Sequence, residues 1–158
     1  MTKKYKHALF ATDLDEGSSE AIQQAQELSS QLAGKFSLLH VVPDISRTYG
    51  YMGAPIYDSE LLKSAADEMA LMCNKLDISE DSQNIVEGYP KEDILTFAKD
   101  ENVDLIILSG HRHHWLGMLG STANVIVNKA ECDVFVLAST KNKLLKGDRH
   151  PILSKLIS

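Results

Sequence analysis

Residues Val103 to Leu137 read VDLIILSGHRHHWLGMLGSTANVIVNKAECDVFVL, and the fold turns on how this stretch is parsed. The run from Leu105 to Leu108 is wholly apolar and is entered from a charged turn. That is the pattern of a strand buried on both faces. Gly110 ends the run, and a polar, His-rich segment leads to Gly117, Gly120 and Ser121. Beyond Thr122 the apolar residues Val125, Ile126 and Ala130 recur at helical spacing. A second apolar run, Val134 to Leu137, follows Asp133. Strand, glycine-containing loop, helix and strand make a βαβ unit, which places a ligand-sized crevice at the strand's carboxyl end.

Working outward, the same alternation fills the rest of the chain. HALFAT (His7–Thr12) is a first strand closed by Asp13. A turn-rich DLDEGSSEA segment follows, with Ser18 or Ser19 placed to cap a helix and Glu20 in its first turn. That helix carries Ile22, Ala25, Leu28 and Leu32 on one face, and Gly34 suits its stop. FSLLHVV (Phe36–Val42) is a second strand, closed by Pro43. An irregular connection leads to a helix from about Ile56 to Leu76, with Leu61, Leu62, Ala65, Met69 and Met72 facing the core. A weaker strand spans Gln83 to Glu87, and Pro90 opens a helix through Lys99. Five strands alternating with four helices predict an α/β fold, a single open parallel sheet with helices on both faces. Residues 1–140 form that domain and 141–158 a tail.

The 158 residues carry a formal net charge of −6, which argues against a general nucleic-acid binder, because phosphate affinity rests on Lys and Arg. No apolar stretch approaches the roughly 20 residues of a membrane span. The N-terminus reads as a first strand and not as a signal peptide. Cys73 and Cys132 form no metal or redox motif, so a cytoplasmic protein with two reduced thiols is the plain expectation. His111, His113 and His114 have metal-binding side chains, but no Cys or carboxylate pair in the loop completes a ligand set. They are expected in a polar surface loop, with no metal. Asp13 has no identifiable catalytic partner: nucleophile-elbow, Walker and zinc patterns are all absent. No enzyme activity is expected.

Asp13 with Gly17-Ser18-Ser19, then Leu39-His40-Val41, then a glycine-containing loop before Gly120-Ser121, together resemble the universal stress proteins over Lys6 to about Ala138. The resemblance implies a Rossmann-like sheet in the order 3-2-1-4-5. It also implies a nucleotide site with Asp13 and Val41 at the adenine end and Gly110, Gly120, Ser121 and Thr122 at the phosphates. In the ATP-binding branch the loop reads Gly-x2-Gly-x9-Gly-Ser/Thr. With Gly110 as the first glycine the second falls on His113, and the Gly-Ser pair should stand at Ala123-Asn124. With Gly110 as the second, the first falls on Ile107. One glycine is missing in either register. The loop is closer to the universal stress protein A branch, whose members are regarded as not binding ATP. The expected function is therefore a non-catalytic stress-response or protective regulator without a cofactor. The alternative is an ATP-binding, nucleotide-dependent switch.

In the order 3-2-1-4-5 the last strand lies at an edge. Val134, Phe135, Val136 and Leu137 then form an apolar edge without charge or proline, which proteins normally cover. Antiparallel pairing with the same strand of a second copy would cover it and make a homodimer. The tail, with Ile152-Leu153 and Leu156-Ile157, is the other candidate cover.

Overall fold

The computed structural model describes residues 2–15, 17–44, 55–110 and 119–138, with the backbone alone for 55–58. The His-rich loop, most of the connection after Asp44 and the tail therefore lie outside the described residues. Among the described residues there are five strands: β1 (Tyr5–Ala11), β2 (Ala33–Pro43), β3 (Gln83–Gly88), β4 (Leu105–Ser109) and β5 (Asp133–Leu137). Between them run α1 (Ser18–Leu32), α2 (Pro55–Leu76), α3 (Pro90–Asp100) and α4 (Ser121–Lys129), with a short 3-10 turn at Glu80–Ser82. The sheet order is β3-β2-β1-β4-β5 and every pairing is parallel, as expected.

Alternation along β1 explains why its sequence is an unbroken apolar run. Phe10 packs with Ile22 of α1 and Met69 of α2 in one buried cluster. Its neighbour Leu9 packs with Ile94 of α3 and Ile126 of α4 in the other. Both side chains are essentially inaccessible, so the strand has no solvent face and needs none. Two helices thus cover each side of the sheet.

The amino ends of β1 and β4 are pinned together by one carboxylate. Asp104 accepts the backbone N–H groups of Lys6 and His7 at 2.9 Å each. Its own N–H donates to the His7 carbonyl. Desolvation pushes the Asp104 carboxyl up, but these N–H donors outweigh it and hold it below the usual carboxylate value. His7 itself is buried. Its Nδ1–H donates to the Glu101 carbonyl at 3.0 Å, since a carbonyl can only accept, and its Nε2 then accepts from Ser37 Oγ at 2.8 Å.

Local expectations fail in three places. Neither Ser18 nor Ser19 caps α1: the N-cap position is Gly17, and Asp15 Oδ1 instead accepts from Gly17 N–H and Ser18 Oγ. Gly34 does not stop α1, because Ala33 is already extended and pairs with Tyr5, so β2 starts three residues before Phe36. Leu61 is 39% exposed, and the buried seam of α2 is Ala65, Met69 and Cys73. At α4 the N-cap position is Gly120.

Candidate functional site

β1 and β4 are neighbours, yet their connections leave in opposite directions, and a crevice of about 440 Å³ opens at their carboxyl ends. Of the residues predicted for a site, Asp13, Val41, Gly120, Ser121 and Thr122 line it. Thr12, Leu39 and Ile94 line it too, though nothing in their sequence pattern marks them for that role. Leu39 and Ile94 look like core because each is also a member of the buried cluster beneath the crevice.

The wall from β1 is held by a small polar network. Thr12 N–H donates to the Leu39 carbonyl at 2.9 Å, and His40 Nδ1–H donates to the Thr12 carbonyl at 2.7 Å. Thr12 Oγ1 accepts from Leu14 N–H at 3.1 Å. Leu14 sits at φ 56°, the left-handed region, which costs a branched non-glycine residue roughly 1–2 kcal/mol. Local strain of this kind clusters at functional sites. The turn that presents Asp13 to the crevice is thus tied to β2 from both sides. His40 is visible in the sequence as a polar residue inside an apolar strand; its side chain shares the sheet face of Leu38, away from the crevice.

The opposite wall is the amino end of α4. The first-turn N–H groups of a helix have no intrahelical partner, and among the described residues no side chain caps them here. They give this wall partial positive charge, suited to an anion. The middle of the crevice is apolar, with Leu39, Val41 and Ile94. Asp13 is the only titratable group among the described lining residues.

Gly110 is placed differently. It does not line the crevice but continues β4 alongside β5, with its N–H donated to the Leu137 carbonyl at 2.8 Å. A Cβ at this position would stand 3.2 Å from that carbonyl oxygen and 3.3 Å from Val136 Cγ1. The glycine suits this close backbone approach, and its N–H is already used. His111 and His113–Trp115 lie outside the described residues; among the described ones, no group of three metal-ligating side chains occurs.

At the β5 edge, Phe135 is 46% exposed while Val134, Val136 and Leu137 are half-buried. Because the Leu137 carbonyl faces β4, strand alternation turns the polar backbone groups of Val134 and Val136 to the open side.

Comparison with known proteins agrees with this architecture. The model of the universal stress protein family matches residues 4–138. A universal stress protein A homolog of Coxiella burnetii is 35% identical over 138 residues, covering 84% of this chain and 94% of the relative. Two solved structures share the fold. One is a universal stress protein UspA from Lactobacillus plantarum, with a TM-score of 0.64 at 24% identity over 86% of this chain and 99% of the other. The second, a universal stress protein in complex with cAMP, has a TM-score of 0.55 at 18% identity over 87% and 100%.

Proposed function

The chain belongs to the universal stress protein family, and from that premise we propose that it is a non-catalytic stress-response regulator that works as a homodimer. The observation that carries this reading is the β5 edge. A half-exposed phenylalanine stands there among apolar neighbours, and the backbone groups of Val134 and Val136 point off the sheet. A flat apolar edge of this kind templates pairing with another strand. A second copy supplies one by two-fold symmetry, which satisfies both edges at once. No nucleic acid or membrane enters this reading, and the cytoplasm is the compartment it assumes.

The state of Gly110 supports a crevice without tight triphosphate binding. A phosphate loop needs free backbone N–H groups, and this one is bonded to Leu137. The first test is sedimentation velocity. Wild-type protein should run as a dimer at micromolar concentration, whereas Phe135→Lys should run as a folded monomer, because the two-fold axis brings its two cations together. Phe135 is the better probe than Val136, whose side chain packs beside Gly110. A wild-type monomer contradicts the reading.

One feature favours a second reading, an ATP-binding or other nucleotide-dependent switch. The amino end of α4 beside an apolar slot suits a nucleotide of low phosphate count, and the relative solved in complex with cAMP has the same fold. Mass spectrometry of small molecules released by heat from the purified protein separates the two. The first reading predicts no nucleotide; stoichiometric nucleotide favours the switch.

A further inference from the structure

The end of the sheet away from the crevice carries a larger hollow, of about 640 Å³, between the carboxyl-terminal turns of α3 and α4. Its floor is apolar. Ala98, Val103 and Ile106 are all buried there, as members of the cluster under these two helices. Ala130 and Cys132 form a half-buried side. Two exposed cations line the same hollow, Lys99 in the last turn of α3 and Lys129 in the last turn of α4. Glu131 is the one acidic group among the described lining residues.

A lysine in the last turn complements the helix dipole, which accounts for each of these residues separately. It does not account for an apolar hollow between them. Ligand sites typically measure about 300 to 1,000 Å³ and combine a mostly hydrophobic lining with a few placed polar groups. The hollow has that size, and beside its apolar floor the described lining adds Thr96, Lys99, Asn102, Lys129 and Glu131 as polar groups. The sign of the charge is specific too, because the chain as a whole carries −6 and the lining carries a cation excess. We propose that this hollow binds a small amphipathic anion, an apolar body seated on Ala98, Val103 and Ile106 with its anionic head held by Lys99 and Lys129. The site is distinct from the crevice between β1 and β4 and from the β5 edge.

Cys132 makes the site observable. The other cysteine, Cys73, is completely buried, so alkylation of the folded chain reads Cys132. Burial, with the Asp133 carboxylate adding to it, pushes the Cys132 thiol up. At neutral pH it is therefore an uncharged part of the lining, and labelling is best done at mildly alkaline pH.

The experiment uses the full chain and anilinonaphthalene sulfonate, an aromatic body bearing one anion, with uncharged phenylnaphthylamine as its counterpart. The sulfonate should quench maleimide alkylation of Cys132 by roughly fivefold or more at saturation, as expected for a thiol covered by ligand. The double variant Lys99→Glu/Lys129→Glu, altered only at exposed positions, should weaken sulfonate binding by about tenfold while leaving the uncharged analogue unaffected. A second variant, Ala130→Trp, should fill the hollow and remove the protection. An alkylation rate indifferent to the sulfonate, or a double variant that binds it as tightly as wild type, overturns the proposal. So does equal weakening of the uncharged analogue.

Discussion

His7 and Gly110 show how single residues settle questions the sequence leaves open. A histidine in the first strand looks like an accident of composition, yet it is 4% exposed and fully bonded as a neutral ring. Burial holds its imidazole below the ordinary value of 6.5, only partly offset by the Glu101 carbonyl. The unfolded chain therefore takes up a proton first as the pH falls. Stability from this group is complete above 6.5 and is lost as the pH drops through the depressed value of the folded state. The melting temperature should be lower at about pH 5.5 than at about pH 7.5, and His7→Gln should shrink that difference. An unchanged difference in the variant would place the sensitivity elsewhere. Gly110 makes the complementary point. Read as a phosphate-loop glycine it should tolerate alanine without loss of stability; as a close-approach glycine against Leu137 it should not. Gly110→Ala is expected to lower unfolding stability by about 1–2 kcal/mol in denaturant titration with no nucleotide present.

Elements were legible wherever an apolar run ended on a residue with one clear physical meaning. β1 ends before Asp13, β2 ends at Pro43, and α3 begins at Pro90 with its missing N–H at the first helical position, so these boundaries follow from the side chains. The start of β2 was not legible. Gly34 suggests a helix stop by its chemistry, but the chain turns extended one residue earlier because Ala33 can pair with Tyr5. That pairing is a tertiary fact. On α2 helical spacing marks Ala65, Met69 and Met72, which do face the core, but apolar residues lie all round the helix, and only packing buries Cys73 and leaves Leu61 exposed. Part of the crevice was readable, since the family resemblance points to Asp13, Val41 and Gly120–Thr122. Thr12, Leu39 and Ile94 were not, because a residue that is both core and wall carries only the signal of core.

At the scale of the whole molecule the sheet is asymmetric. β3 is an edge of mixed character, with Gln83, Asn84 and Glu87 among its residues, and suits solvent. β5 is the apolar edge, and the homodimer proposed above would extend the sheet through it across a two-fold axis. The amides of Val134 and Val136 report on this directly, because they point away from β4. Hydrogen exchange followed residue by residue, over a range of protein concentrations, is the decisive measurement. The dimer predicts protection of both amides that rises with concentration and disappears in Phe135→Lys. Protection that is independent of concentration would assign the edge to a cover from the chain's own tail, and rapid exchange at every concentration would leave the edge uncovered; either result contradicts the homodimer.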